Sequence, residues 1–185
     1  MHGAFNTWLM LTLTRIRPIT EADWPAILAL QAETYYALEP ESEAVLRSKQ
    51  RLGPESCLVA TSGDTLLGYC LAHPWSKQTP ASLYHCYSQP SGHETLYIHD
   101  MVVSAKARGR GIARAFLRHL EQLARDKAQQ EMSLVAVQGA DGYWARVGFK
   151  PRAPGKSLAQ YGEDAVYMWR PLESQRSHND NTNNQ

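Results

Sequence analysis

The strand-like run Leu96-Tyr-Ile-His-Asp-Met-Val-Val103 is followed closely by Arg108-Gly-Arg-Gly-Ile-Ala113, which opens an amphipathic stretch from Ile112 to Lys127. Few folds satisfy that order. A strand that turns through glycines directly into a helix sets the helix N-terminus at the strand's carboxyl end, where the glycines can turn their N–H groups inward at low steric cost. Those amides, with the positive end of the helix dipole, form an anion cradle suited to a diphosphate.

The surrounding sequence completes an α/β pattern. Arg15 to Pro18 ends a first strand, and Thr20 with Asp23 predicts a helix through Tyr36 whose buried face holds Ile27, Leu28 and Leu30. Pro40 opens a second helix over Glu41 to Leu52, stopped by Gly53-Pro54. Cys57 to Thr61 and Leu66 to Ala72 flank Ser62-Gly-Asp-Thr65 as a hairpin. A long, irregular stretch from His73 to Thr95 precedes the Leu96 strand. Beyond the turn, Ile112, Phe116, Leu120 and Leu123 recur at helical spacing, opposite Arg110, Arg114, Arg118 and Arg125. Ser133 to Val137 reads as a buried strand, Gly139 to Arg146 as a short helix, and Gly148 to Pro151 and Ala165 to Trp169 as final strands. The expectation is a mixed sheet of about six or seven strands with helices on both faces.

Length and charge bound the rest. The 185 residues suffice for one substantial core and hardly two. One domain is expected over residues 14–172, with an N-terminal extension at 1–13 and a polar, disordered tail at 173–185. Nineteen lysines and arginines against 18 carboxylates give +1, so general attraction to nucleic acid or anionic membrane is not expected. Thr7 to Leu13 is too short to cross a bilayer and lacks a basic leader or cleavage site, which makes the cytoplasm the expected compartment. Met10 would serve as a start as well as Met1. The odd cysteines Cys57, Cys70 and Cys86 form no Cys-x-x-Cys pair, and His73, His85 and His93 match no zinc spacing, so neither a disulfide framework nor a metal is expected.

Other phosphate sites fit poorly. Gly-x-x-x-x-Gly-Lys-Ser/Thr is absent, and Gly109-x-Gly111 lacks the third glycine of a dinucleotide fingerprint. The chain resembles instead the GNAT family of N-acetyltransferases. The resemblance rests on the strand Leu96 to Val103, on Arg108 to Ala113, which fits that family's Gln/Arg-x-x-Gly-x-Gly/Ala turn, and on Tyr143-Trp-Ala-Arg-Val-Gly-Phe149, similar to its aromatic helix ending in Gly-Phe. Element order extends it over residues 14–172.

The resemblance implies a single GNAT-like domain that binds acetyl-coenzyme A without a metal. The pyrophosphate would rest on Gly109, Arg110, Gly111, Ile112 and Ala113, and the pantetheine arm would pair with Met101, Val102 and Val103. The strands Leu96 to Val103 and Ser133 to Val137 would then splay to admit it. Arg108 and Arg114 would either add charge to the phosphates or be exposed helix arginines. The implied reaction is direct attack of a primary amine on the thioester in a ternary complex, which needs a base. His99 and Asp100 are the candidates; strand alternation predicts opposite faces for them, so that at most one meets the substrate. Tyr143 is the candidate acid, because Trp144 stands where relatives carry a tyrosine; otherwise the thiolate leaves unprotonated and Trp144 only walls the pocket. Trp75, Tyr84 and Tyr87 either shape an acceptor pocket together with Trp144 or pack as loop aromatics. The acceptor expected is a small-molecule amine, with a protein lysine or N-terminus as the alternative and a non-catalytic acyl-coenzyme A sensor as the third reading. Homodimers are a further expectation of the resemblance.

Overall fold

A computed structural model describes residues 13–172. The expectations for 1–12 and for 173–185 lie outside the described residues. Seven strands form one sheet in the order β1-β2-β3-β4-β5-β7-β6. They are β1 (Arg15–Pro18), β2 (Leu58–Ser62), β3 (Thr65–Trp75), β4 (Thr95–Val103), β5 (Glu131–Ala136), β6 (Lys150–Pro151) and β7 (Val166–Pro171). Every neighbouring pair is antiparallel except β4 and β5, which run parallel, joined by helix α3 (Ile112–Asp126) as the crossover. The expected mixed α/β sheet is therefore present. Helices α1 (Trp24–Thr34) and α2 (Glu43–Leu52) cover one face, and α3 with α4 (Asp141–Arg146) covers the other.

Local chemistry sets the helix ends, and two differ from expectation. Thr20 and Asp23 form a capping box, but the turn they open is a short 3-10 segment, Glu21–Asp23, and α1 begins only at Trp24. Asp23 is also tied to Arg17 at 2.6 Å, which fixes the helix entry to β1 and holds the Asp23 carboxyl down at about 2. The helix ends at Thr34 because Tyr35 takes an extended conformation (φ −95°, ψ 100°). Ser42 caps α2 by accepting from the Val45 N–H, so the helix starts after Glu41 rather than at Pro40. Both departures release residues, Tyr35 and Glu41, that a longer helix would have kept.

Packing is divided by the sheet. On the α3 face, Phe116, Leu120 and Ala124 meet Leu96, Ile98, Met132 and Leu134. On the other, Trp24, Ile27 and Leu46 meet Val59, Tyr69, Leu71 and Val102. Burying each such side chain contributes about 1.5–3 kcal/mol. A third cluster, Trp75, Ala81, Tyr97 and Tyr167, sits under the irregular segment between β3 and β4. That segment hangs on Lys49 of α2. The Lys49 ammonium is fully buried, donates to the carbonyls of Ser82 and His85 at 2.9 Å each, and lies 4.4 Å from the Tyr87 ring centre. Burial lowers its pKa to about 8.

Candidate active site

Parallel pairing between β4 and β5 runs from Thr95–Glu131 to Ile98–Leu134 and stops there. Beyond that point the strands diverge. Left-handed backbone at Gln138 (φ 53°) and Gly139 (φ 72°) bends the chain after β5 away from β4. The gap is a cavity of about 200 Å³ whose walls include Asp100, Met101, Val135, Val137, Ala140 and Trp144. Backbone groups on the facing strand edges are thereby open to a ligand that can pair as a strand does.

A second cavity, of about 370 Å³, continues past Val103 over the glycine turn. Gly109 (φ 77°) and Gly111 (φ 75°) are both left-handed, and no heavy atom stands within 4 Å of where a Cβ would project from either. The first intrahelical bond of α3 is made by the Ala115 N–H to Gly111. The amides of Ile112, Ala113 and Arg114 precede it and lie in the wall of the cavity. Arg108 and Arg114 line this wall too, whereas the Arg110 side chain reaches away to Thr14 at 3.3 Å. Val102, between Met101 and Val103, packs into the opposite core and lines neither cavity.

The far end of the gap is built by a bulge. β3 and β4 lose register between Leu71–Asp100 and Ala72–Ile98, leaving His99 as the extra residue on β4. Ile98 and Met101 consequently pack on the α3 face, while Tyr97, His99, Asp100 and Val102 all project to the other. The expected opposition of His99 and Asp100 is thus corrected: the added residue cancels one step of alternation.

The two side chains nevertheless differ in access. The His99 imidazole is 1% exposed, and its Nε2 meets Glu41 Oε2 at 2.6 Å, leaving Nδ1 buried without a partner. Beneath it lies His73, whose ring centre is 6.1 Å away and whose pKa burial lowers to about 3. Glu41 also accepts the Tyr84 amide at 2.7 Å. Burial pushes the Glu41 carboxyl up, but His99, Lys49 and the Tyr84 amide outweigh it and leave the group below its usual value. Asp100 accepts two phenols, Tyr35 on Oδ1 and Tyr69 on Oδ2, the latter at 2.5 Å. Burial raises its pKa, and the two hydroxyls and His99 only partly offset that. A third cavity, of about 50 Å³, opens from His99 and Asp100 between Leu38, Leu83 and Tyr161, with Glu39 in its wall.

The aromatic candidates separate. Tyr143 lines the cavity over the glycine turn, where burial raises its pKa against the pull of Arg114 and Arg146, while Trp144 faces the strand gap edge-on to Phe149 at 5.3 Å. Trp75 is 4% exposed in the third core, its indole bonded to the Thr79 carbonyl, and it lines none of these three cavities. Tyr84 is exposed beside the small cavity and bonds the Glu39 carbonyl. Sequence reading missed Tyr35, Glu41 and Tyr69. The first two fell inside helices drawn too long, and Tyr69 looked like any strand aromatic.

The sequence profile of the Acetyltransferase (GNAT) family matches residues 24–149. No curated protein matches the chain by sequence. Among solved structures, Ard1 from Thermoplasma volcanium superposes with a TM-score of 0.67 at 19% identity, covering 87% of this chain and 99% of its own. The ribosomal-protein-S18-alanine N-acetyltransferase from Escherichia coli gives 0.62 at 17%, covering 92% and 100%. N-acetylglutamate synthase from Neisseria gonorrhoeae, complexed with coenzyme A and N-acetyl-glutamate, gives 0.67 at 16% over 87% of this chain and only 35% of that one.

Proposed function

The chain belongs to the GNAT acetyltransferase family, and from that premise we propose that it transfers the acetyl group of acetyl-coenzyme A to the primary amine of a small molecule. One observation carries the reading: the three cavities form a sequence along β4. Val103 and the start of α3 border the cavity over the glycine turn, Met101 borders the strand gap, and His99 with Asp100 borders both the gap and the small third cavity. A diphosphate on the Gly109 to Ala113 amides would leave a pantetheine arm running up the open edge of β4, with its thioester near the bulge. The crystallised relatives that hold coenzyme A support the donor.

The amine enters from the other side. Its nitrogen attacks the thioester carbonyl carbon, the C–S bond breaks, and the proton lost by nitrogen goes to Asp100. A carboxyl with a raised pKa suits that role better than an ordinary aspartate. His99, shut away and tied to Glu41, holds the wall rather than taking the proton. The narrowness of the third cavity, between Leu38, Leu83 and Tyr161, favours a slender amine over a polypeptide. Titrating free-thiol release from acetyl-coenzyme A against a panel of amines and short peptides tests this. Multiple turnovers with small amines are expected. Turnover only with peptides moves the acceptor to a protein amine, and tight binding without turnover makes the chain an acyl-coenzyme A sensor.

A further inference from the structure

We propose that Tyr35 is a catalytic residue that relays the amine's proton from Asp100 to the departing thiolate of coenzyme A. The inference rests on the transferase reading above and adds to it the fate of the proton. Indole is a donor with no acid function, so Trp144, which faces the strand gap, cannot protonate sulfur. Tyr143 is turned to the cavity over the glycine turn. Helix α4 therefore presents no acid to the gap where the thioester would lie.

Tyr35 reaches the gap from elsewhere. It leaves the end of α1 in extended conformation, and it lines both the strand gap and the small acceptor cavity. Its hydroxyl donates to Asp100 Oδ1. Tyr69 donates to the other oxygen of the same carboxylate, yet it is wholly buried and lines neither cavity. Asp100 thus sits between a phenol at the substrate and a phenol in the core, with a second lone pair left on each oxygen.

The proton balance closes without any added reagent. The amine nitrogen bonds to the acetyl carbon and loses a proton to Asp100; the C–S bond breaks with its electron pair on sulfur. The Tyr35 hydroxyl gives its proton to that sulfur and takes the one on Asp100 in exchange. Asp100 ends as a carboxylate, Tyr35 as a phenol, and coenzyme A as a thiol. Burial and the Asp100 charge hold the Tyr35 pKa well above its usual value, so the phenol is a poor acid alone and works here because Asp100 restores its proton.

The two phenols supply the experiment. Tyr35→Phe and Tyr69→Phe each remove one hydrogen bond from Asp100, but only the first removes a hydroxyl from the substrate cavities. Tyr35→Phe is expected to lower kcat about 100-fold with acetyl-coenzyme A affinity unchanged, and Tyr69→Phe about fivefold or less. Because one proton passes through both groups, Tyr35→Phe combined with Asp100→Asn should be no slower than the slower single variant. Equal losses in the two phenylalanine variants, or losses that multiply with Asp100→Asn, overturn the relay. If the wild type turns over and Tyr35→Phe matches it, the relay alone fails; if the wild type releases thiol with no amine, the transferase reading fails and takes the relay with it.

Discussion

The two ends of the β4 groove are built in opposite ways. At the glycine turn, the cavity is bordered by contiguous residues of one turn and the first turn of α3, and the positive-φ glycines leave open space where a Cβ would stand. At the bulge, Tyr35, Glu41, Tyr69, His99 and Asp100 come from four separate parts of the chain and meet through side chains in two adjacent bonded sets, Tyr35 and Tyr69 on Asp100 and His99 on Glu41. The first end is a local conformation. The second is a buried polar network whose members depend on each other, so loss of one leaves others unsatisfied. The contrast suggests a division of labour in which the turn binds and the bulge reacts.

Substitutions at the two ends should therefore fail differently. The largest effect is expected for Asp100→Ala, which lowers kcat by about 10²–10⁴-fold while acetyl-coenzyme A still binds. It also leaves the Tyr35 and Tyr69 hydroxyls without their acceptor, for a stability loss of about 2 kcal/mol in denaturant unfolding. Retained kcat would move the base elsewhere. Gly111→Val comes next. A branched side chain at φ 75° is strained and projects into the cradle, so the coenzyme A Kd should rise about 10–100-fold, read by calorimetry. Unchanged affinity would show that the diphosphate is not held at Gly109 to Ala113.

A third effect, read in stability rather than in binding or turnover, is a pH dependence that originates at the bulge end. His73 is buried neutral beside His99, with its pKa lowered to about 3 from an ordinary value near 6.5. The unfolded chain binds this proton below about 6.5 and the folded chain only below about 3, so stability should fall as pH drops across that window, by at most about 1.4 kcal/mol per pH unit. Urea midpoints for His73→Gln, measured from pH 7 to 4, should show a shallower decline than those of the wild type. Parallel curves would remove His73 as the source.

The same contrast explains what could be read in advance. The turn was legible because its whole mechanism lies in contiguous residues, Arg108 to Ala113, flanked by an apolar strand and a periodic helix. The sheet was legible too, since its strands are apolar runs bounded by turn residues, and only their ends moved by a residue or three, as at β3 and β5. The bulge was not. No glycine marks it, and the slip against β3 exists only once β3 is paired. Tyr35 and Glu41 were hidden by competition between start and stop signals: Ser42 outbid Pro40 as the beginning of α2, and α1 stopped before a tyrosine that helix periodicity would have carried on. Trp75 shows the converse error, since a tryptophan in an irregular segment suggested a pocket wall and is in fact core.

The extra residue at His99 also gives β4 a parity. Counted from Thr95, odd and even positions exchange faces after the slip, so Tyr97 and Asp100 share a side though they are an odd number of steps apart. A strand of eight residues lacking only His99 would keep Ile98 and Met101 on one face and Tyr97, Asp100 and Val102 on the other by plain alternation, so the bulge adds one side chain without moving its neighbours. The single extra residue is absorbed at the bulge, whereas one placed in a regularly paired part of β4 would send the residues after it to the opposite face.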